Sequence, residues 1–247
     1  MYNKVAIITG SSSGIGAGIA LKLSSMGARV VVTGRDERRI QAVVEKCGFV
    51  SSGKVLGVRA DLLVDTDVRD LVDQTIAAFG CIDILVNSAG IMRISPFDDR
   101  SYLDTFDEVM SGDLRCIQVL THLVVPYIEA TKGVIINISS LGGQRPAVEA
   151  IAYSMAKNAL DMFTRCLAID LGPKGVRVNG IAPGPIRTPI MDDNVVAMTE
   201  NYCQSTFPVA RIGETNDVSE MVAYLASDKS SFITGAIILV DGGAALV

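Results

Sequence analysis

The sequence predicts an α/β fold in which a doubly wound, seven-stranded parallel sheet carries helices on both faces. Short β-branched runs alternate with longer segments of helical period, as in successive β-α-β units. Runs such as Val30-Val31-Val32 are apolar on consecutive residues, as expected where helices cover both faces of a sheet. No repeat or polar linker interrupts the series, so we expect one domain over residues 1–247.

The predicted strands are aliphatic or β-branched runs at residues 5–9, 28–33, 55–59, 82–87, 134–139, 176–181 and 237–240. Segments of helical period lie between them at residues 16–25, 36–46, 66–79, 101–130, 152–171 and 215–227. Gly27, Gly80 and Gly172 each follow one of these helices and suit a tight turn. Residues 183–213 fit neither pattern, and their proline-rich start predicts an inserted substrate loop at about 186–213.

Composition excludes several other classes of protein. With 49% hydrophobic and 20% charged residues, the chain lacks the bias of disordered, collagen-like or coiled-coil sequences. A net charge of −5 and a pI near 4.9 argue against nucleic acid as a partner. Five widely spaced cysteines and a single histidine predict free thiols rather than a metal site. No apolar run approaches the ~18 residues of a membrane span, and we expect a cytoplasmic protein.

The first predicted strand leads through a glycine-rich turn into a helix. Glycines there let the backbone approach a pyrophosphate, and the free N–H groups at the helix start favour its charge. Glycine turns of this kind are common without a ligand, but this one follows the first strand and precedes a second β-α-β unit. The sequence therefore predicts a Rossmann-type dinucleotide site that uses Gly10, Ser11, Ser13, Gly14, Ile15 and Gly16.

The end of the second strand predicts which dinucleotide binds. Folds that prefer NAD usually carry an acidic residue here for the ribose 2′-hydroxyl, whereas this chain has Gly34 with Arg35 beside it. A guanidinium matches a 2′-phosphate in charge and geometry, so we favour NADP(H) over NAD(H). The alternative is a solvated Arg35, with Asp36 bound to the ribose. Further nucleotide contacts are predicted after the third and fourth strands, at Asp61, Leu62, Asn87, Ala89 and Gly90.

Tyr153 and Lys157 carry the predicted chemistry. They are four residues apart in a predicted helix, so about 6 Å of axial rise separates them on one face. Because an ammonium group favours a nearby phenolate, the pair is suited to give a proton to a carbonyl oxygen or to take one from an alcohol. Ser139 and Ser140 end the fifth strand, at the sheet edge where open α/β sheets bind ligands, and offer a hydroxyl to the substrate oxygen.

With these residues the chain resembles the short-chain dehydrogenase/reductase family in its single-domain form. The motifs that carry the resemblance are the turn from Thr9 to Gly16, Asn87-Ser88-Ala89-Gly90, Ser140 with Tyr153-x-x-x-Lys157, Asn179 to Gly184, and Thr234 to Gly243. The resemblance implies that Tyr153 is the general acid or base and that Ser140, rather than Ser139, is its partner. Lys157 would hold the nicotinamide ribose. The remaining implied cofactor contacts are Pro183, Gly184 and Ile186 at the nicotinamide, and Thr188 at its carboxamide or the pyrophosphate.

Asp113 departs from the family pattern. Family members usually carry Asn at this place in the fourth helix, where it helps to hold a water linked to the lysine. If the family's helix kink persists, the main-chain carbonyl of residue 113 can still hold that water. An ionised carboxylate near Lys157 would oppose phenolate formation, so we expect reduced activity or a shifted pH optimum.

The resemblance implies an NADP(H)-dependent oxidoreductase that interconverts a ketone and a secondary alcohol, similar to 3-oxoacyl reductases and related carbonyl reductases. The expected partners are a small carbonyl or alcohol compound and, by resemblance, further copies of the chain in a homotetramer or homodimer. One alternative is an NADP(H)-binding relative whose catalysis Asp113 has impaired, and another is an NAD-dependent alcohol dehydrogenase. An epimerase or dehydratase is disfavoured, because the chain is too short for their extra substrate domain.

Three apolar features are interpreted as packing or assembly surfaces. His122 lies in an apolar helical stretch and is predicted to be a packing or interface residue. The terminal residues 244–247 are apolar and are expected to pack against another subunit. A lid over an apolar substrate is predicted from the loop residues Ile190, Met191, Val195, Val196 and Met198.

Overall fold

A computed structural model of the chain describes residues 1–50, 54–189 and 191–247. Within them lies a parallel sheet with the strand order β3-β2-β1-β4-β5-β6-β7, which confirms the predicted doubly wound, seven-stranded α/β fold. The strands are β1 (Val5–Ile8), β2 (Arg29–Gly34), β3 (Val55–Arg59), β4 (Ile84–Asn87), β5 (Val134–Ile138), β6 (Arg177–Pro183) and β7 (Ile237–Val240).

Helices cover both faces of this sheet. Side chains alternate along β1, where Ala6 and Ile8 face one hydrophobic cluster and Ile7 faces the other. The first cluster includes buried residues of α1, α2 and α8, and the second includes residues of α3, α5 and α6. The helices are α1 (Gly14–Ser25), α2 (Glu37–Val50), α3 (Asp65–Phe79), α4 (Tyr102–Met110), α5 (Cys116–Thr131), α6 (Ile151–Leu171), α7 (Asp193–Thr206) and α8 (Thr215–Leu225).

The strand order places a crevice beside the carboxyl end of β1. From β1 the chain runs outward through β2 and β3, then returns to add β4 on the other side of β1. The connections after β1 and β4 therefore leave in opposite directions, and ligands of doubly wound sheets bind in the crevice between them. Thr9 and the residues after Asn87 lie there.

Two predictions about local structure were wrong. The helix predicted over residues 101–130 is two helices, α4 and α5, joined by a π-helical turn at Ser111–Arg115. The stretch 183–213 is not wholly irregular, because it contains the 14-residue helix α7. Gly172 follows α6 and begins a tight 3₁₀ turn at Gly172–Lys174, whereas the positive φ of 84° belongs to Gly175.

His122 is an exposed residue of α5, so the packing half of its prediction was wrong. It lines an open groove on the outer side of α3, α5 and α6, and a role at an interface stays a prediction. Of the loop residues, Met191 packs against a small buried cluster that includes Cys203 and Phe207, Met198 is exposed, and Ile190 lies outside the described residues. In the part of the chain that the structure describes, the helices are too short or too polar to cross a bilayer.

Candidate active site

The turn between β1 and α1 offers main-chain donors to an anion. The first hydrogen bond inside α1 runs from the N–H of Ala17 to the carbonyl of Ser13, at 3.1 Å. The N–H groups before it have no partner within the helix, and in the described chain the Ser13 side chain does not cap them. These N–H groups, of Gly14, Ile15 and Gly16, point outward at the positive end of the helix, which is suited to a pyrophosphate.

Ser11, also predicted to contact the cofactor, ties two strands together instead. Its hydroxyl donates to the carbonyl of Ile8 (2.6 Å) and accepts from the N–H of Thr33 (2.9 Å), while its own N–H donates to the Thr33 carbonyl (3.0 Å). The residue is fully buried. Both polar hydrogens of Ser11 therefore form hydrogen bonds within the protein. We infer that Ser11 stabilises the turn that includes Gly10.

The end of β2 separates the two candidates for the ribose. Asp36 accepts the N–H of Arg39 (3.1 Å) at the start of α2, and its other oxygen lies 3.6 Å from the Arg39 guanidinium. Arg35 is exposed, and within the described residues it forms no ion pair. The position before it is Gly34, and any side chain there would displace Ser12, since a Cβ on Gly34 would lie 2.5 Å from the Ser12 hydroxyl oxygen and 2.9 Å from the Ser12 Cβ. The geometry therefore favours Arg35 as the residue free to meet a phosphate.

Asp61 and Leu62 follow β3 at the same edge of the sheet and are partly exposed. The Asp61 carboxylate accepts the N–H of Leu63 (3.0 Å), and the Asp61 N–H donates to the Asp67 carboxylate (2.9 Å). These hydrogen bonds fix a local turn after β3, and its contact with a nucleotide stays a prediction.

The segment after β4 is held against β1 by Thr9. The Thr9 hydroxyl oxygen accepts the N–H groups of both Ser88 and Ala89, each at 2.9 Å. Asn87 is fully buried, and its amide donates to the side chains of Asn137 (2.8 Å) and Thr121 (3.1 Å). Asn87 therefore links β4 to β5 and α5 inside the protein, while Ala89 and Gly90 lie at the surface of the crevice.

The structure brings Ser140, Tyr153 and Lys157 together at the end of β5. A Cβ built on Gly142 would lie 3.4 Å from the Ser140 hydroxyl oxygen and 3.3 Å from Cε1 of Tyr153, so both side chains border the same small space. The Lys157 ammonium lies 5.5 Å from the centre of the Tyr153 ring and 3.5 Å from the carbonyl oxygen of Ile138. Lys157 is buried and Tyr153 is half-buried, so a charge on either is weakly screened by water.

The two adjacent serines have different surroundings. Ser139 is buried and its hydroxyl donates to the main-chain carbonyl of Lys157 (3.3 Å). Ser140 is half-buried, and its hydroxyl oxygen accepts the N–H of Gly142 (3.0 Å). The Ser140 hydroxyl proton therefore remains available for a substrate oxygen, which favours Ser140 over Ser139 for that contact.

Asp113 lies in the π-helical turn and is fully buried. Its Oδ1 accepts the N–H of Ile91 (2.7 Å), and its Oδ2 lies 3.9 Å from the Lys157 ammonium. Burial raises the pKa of the Asp113 carboxyl, while Lys157, the Ile91 N–H and Arg93 oppose that rise. The helix distortion is present, and the carboxyl joins the segment after β4 to Lys157.

The end of β6 and the residues after it form the other wall. Pro183 ends β6, Gly184 donates its N–H to Val240 (3.1 Å), and Ile186 is buried and pairs with Gly213. Thr188 lies against the start of α1, since its Cγ2 would be 3.4 Å from a Cβ on Gly14. Thr188 therefore lies beside the glycine turn, and the contacts of Pro183, Gly184 and Ile186 with a nicotinamide stay a prediction.

Comparisons with known proteins agree with this arrangement. A sequence model of the family described as enoyl-(acyl carrier protein) reductase matches residues 10–245. The (2S)-[(R)-hydroxy(phenyl)methyl]succinyl-CoA dehydrogenase subunit BbsD of Thauera aromatica is 39% identical, over 100% of this chain and 98% of its own length. The 3-oxoacyl-[acyl-carrier-protein] reductase FabG of Aquifex aeolicus is 36% identical over 98% of each chain.

A crystal structure with cofactor, of a short-chain dehydrogenase/reductase from Caenorhabditis elegans, matches the fold closely. It has a TM-score of 0.93 and 33% identity, over 100% of this chain and 96% of that chain. The protein belongs to the short-chain dehydrogenase/reductase family. The predicted resemblance is thereby confirmed, and as a member of this oxidoreductase family the protein has a nicotinamide dinucleotide, NAD or NADP, as its expected type of cofactor.

The crevice of this short-chain dehydrogenase/reductase fits such a dinucleotide. The N–H groups at the start of α1 that have no partner within the helix suit the pyrophosphate, and a Cβ at Gly10 would lie 2.9 Å from the Cα of Ala89, so the two segments approach closely between β1 and β4. The nicotinamide end of the crevice would adjoin Tyr153 and Lys157. The hydroxyl groups of the nicotinamide ribose could there accept hydrogen bonds from the buried Lys157 ammonium.

Several residues of the site carried no separate prediction. The Thr9 hydroxyl belongs to the quoted glycine motif, but its two acceptor contacts depend on how β1 and β4 pair. Asp161 is fully buried one helical turn after Lys157, and Gln144 donates to it from the turn after Ser140. The four-residue spacing of Lys157 and Asp161 places both on one helix face, so the sequence could have indicated that Asp161 lies near the site. No comparable sequence pattern identifies Gln144.

Proposed function

We propose that the protein is an NADP(H)-dependent oxidoreductase that interconverts a ketone and a secondary alcohol, with carbonyl reduction as its direction in the cell. The observation that carries the proposal is the shared space bordered by the Ser140 hydroxyl and the Tyr153 ring, with the buried Lys157 ammonium behind the ring. That space lies at the sheet edge beside the dinucleotide crevice.

In this mechanism the bound nicotinamide supplies or takes the hydride, and the protein supplies orientation and the proton. The Ser140 hydroxyl donates a hydrogen bond to the carbonyl oxygen, since its own oxygen is already an acceptor for Gly142. Tyr153 donates its hydroxyl proton to the same oxygen as negative charge develops there. The phenolate left on Tyr153 is favoured by the nearby Lys157 ammonium, and in the reverse direction it takes the proton of the alcohol.

The choice of NADP(H) is supported by the end of β2. Arg35 is exposed there, whereas Asp36 accepts a main-chain hydrogen bond at the start of α2 and residue 34 is a glycine with no carboxylate to offer. A guanidinium pairs with a 2′-phosphate through two parallel hydrogen bonds, an arrangement that a 2′-hydroxyl does not match in charge.

The experiment is a comparison of NADPH and NADH oxidation, followed by absorbance, over diketones, quinones, 3-oxoacyl esters and steroid ketones. Two of the relatives are named for acyl thioester substrates, so 3-oxoacyl thioesters belong in the panel. We expect turnover with NADPH that falls at least about 10³-fold in Tyr153→Phe, the loss typical of removing a proton donor. Tyr224→Phe, an exposed tyrosine on α8, is the matched control and should turn over normally. Equal rates for Tyr153→Phe and wild type would overturn the assignment.

A second function is favoured by one observation, the buried Asp113 carboxyl 3.9 Å from the Lys157 ammonium. If the charge of Asp113 prevents proton transfer, the protein binds NADPH without reducing a carbonyl compound. Tight NADPH binding without turnover in wild type, and turnover in Asp113→Asn, would favour this binding protein over the enzyme.

We also infer assembly into a homotetramer. Phe232 is completely exposed, and Leu239 on the edge strand β7 and Leu246 are exposed apolar side chains. Apolar surface of this kind is typical of contacts between subunits. Light scattering during gel filtration should give four times the chain mass of 26.1 kDa, and the mass of a single chain would contradict the inference.

A further inference from the structure

Asp161 is a buried carboxyl that the proposed chemistry does not use. It lies on α6 one turn after Lys157 and is fully buried. Burial raises the pKa of this carboxyl, and the side chains of Ser139, Gln144, Arg165 and Lys157 oppose the rise. Burying a carboxyl group destabilises the folded protein unless hydrogen bonds compensate for the lost hydration. The hydrogen-bond partners of Asp161 therefore indicate its role.

The partner of Asp161 is the turn that follows Ser140. The chain leaves Ser140 through a short 3₁₀ turn, Leu141–Gly143, and Gln144 then donates its side-chain N–H to Oδ2 of Asp161. The carbonyl of Gly143 accepts the side-chain N–H of Asn158 at 2.8 Å. Two residues of α6 therefore hold the carboxyl-terminal end of this turn.

Close packing joins the same two segments. A Cβ on Gly143 would lie 2.9 Å from the main-chain carbon of Lys157 and 3.0 Å from Oδ2 of Asp161. Ser139, on the other side of Ser140, donates its hydroxyl to the Lys157 carbonyl at 3.3 Å. Residues 139–144 are thus fixed to residues 157–161 on both sides of Ser140.

We propose that Asp161, acting with Gln144 and Asn158, is a positioning residue that fixes the Ser140 hydroxyl relative to Tyr153 and Lys157. Ser140 comes from the end of β5, whereas Tyr153 and Lys157 come from α6, so their mutual geometry depends on contacts between these two elements. The inference rests on the proposed function, because it gives Ser140 a contact with the substrate oxygen. Displacement of a reacting group by about 1 Å can cost about 10²-fold in rate, so such contacts matter for turnover.

The experiment exchanges the partners of one hydrogen bond. Gln144→Glu places two carboxylates face to face, and since Gln144 is exposed the variant should fold. Asp161→Asn added to it restores the hydrogen bond with donor and acceptor reversed. We expect kcat to fall about tenfold in Gln144→Glu and to recover within about twofold of wild type in the double variant, with KM for NADPH unchanged. Gln41→Glu, on exposed α2, is the control for the added charge.

The decisive comparison repeats Gln144→Glu in a Ser140→Ala background. If the contact acts through Ser140, the tenfold effect shrinks to less than about twofold there, because the group that it positions is gone. The same tenfold effect in both backgrounds would show a general structural role and overturn the proposal. An unchanged kcat in Gln144→Glu would also overturn it.

Hydrogen exchange separates this inference from the proposed function. In Gln144→Glu the amides of residues 140–146 should exchange at least about tenfold faster, while those of β5 and the middle of α6 keep their rates. If wild type turns over none of the carbonyl compounds, the proposed function fails and the exchange data still decide whether Asp161 holds the turn. Faster exchange supports that role, and unchanged exchange overturns it.

Discussion

Oδ2 of Asp113 lies 3.9 Å from Nζ of Lys157, and both side chains are buried. Oδ1 of the same carboxyl accepts the N–H of Ile91 at 2.7 Å, so the carboxyl cannot turn away from the lysine without losing that bond. The family usually has Asn at this position, and the structure keeps the helix distortion with a different charge.

The first prediction concerns the pH dependence of alcohol oxidation in Asp113→Asn. Burial raises the pKa of the Asp113 carboxyl, so a negative charge appears beside Lys157 only as the pH rises through that pKa. Because this charge weakens the support that the ammonium gives to proton removal by Tyr153, Asp113→Asn should oxidise the alcohol faster than wild type at high pH and at a similar rate at low pH. Steady-state rates of wild type and Asp113→Asn across the pH range provide the measurement. Asp104→Asn, exposed on α4, is the matched control. Superimposable profiles for wild type and Asp113→Asn would show that residue 113 is indifferent.

The second prediction concerns the pH dependence of stability. Burial holds the pKa of Asp113 above its ordinary value in the folded protein, so the folded state binds this proton more tightly than the unfolded state does. The stability contribution of the group is then greatest at low pH and falls as the pH rises through the folded pKa. Asp113→Asn removes that loss and should raise the Tm at pH 7 by about 3 °C, equivalent to about 1 kcal/mol.

Thermal unfolding of both proteins from about pH 4 to pH 8 tests the sign, since the difference in Tm should shrink towards the acid end. A lower Tm for Asp113→Asn at pH 7 would mean that the ionised Asp113–Lys157 pair stabilises the fold.

The strands were predictable because their local signal is strong. Residues such as Val30, Val31 and Val32 are apolar on both sides of β2, and both sides are buried by helices. Helix α7 was missed because Cys203 is its single buried residue among those described, so the apolar period that identifies a helix is lacking. Its one clear signal is Asp192, whose carboxylate accepts the N–H of Val195 at the helix start.

Within the site, the sequence predicts residues at the ends of elements better than residues that join elements. Ser140, Tyr153 and Lys157 each stand at a recognisable place, a strand end or one helix face. The hydrogen bond from Asn87 to Asn137 forms because the pairing register of β4 and β5 places these residues side by side. A local sequence pattern does not reveal the register between two strands. The π-helical turn at Asp113 likewise leaves the helical period nearly unbroken, so it is invisible to a pattern search.

The third prediction tests the choice of dinucleotide. If Arg35 binds a 2′-phosphate, Arg35→Ala should raise KM for NADPH by about 10- to 100-fold, the loss expected for a charge-assisted pair, and leave KM for NADH unchanged. Arg38→Ala, exposed on α2, is the control for a lost positive charge. A higher KM for NADH in Asp36→Asn, with no effect of Arg35→Ala, would favour the alternative in which Asp36 holds the ribose.

The fourth prediction concerns Thr9, whose buried hydroxyl oxygen accepts two main-chain N–H groups at 2.9 Å. Thr9→Val keeps the shape of the side chain and leaves both donors without a partner, which should cost about 2 kcal/mol and lower the Tm by about 4–8 °C. Because those donors belong to Ser88 and Ala89, the segment that ends at Gly90 should also loosen and NADPH should bind more weakly. Thr9→Ser keeps the hydroxyl, so its Tm and its Kd for NADPH should stay close to wild type. If both variants lose the same stability, the contribution comes from the methyl group of Thr9 rather than from its hydrogen bonds.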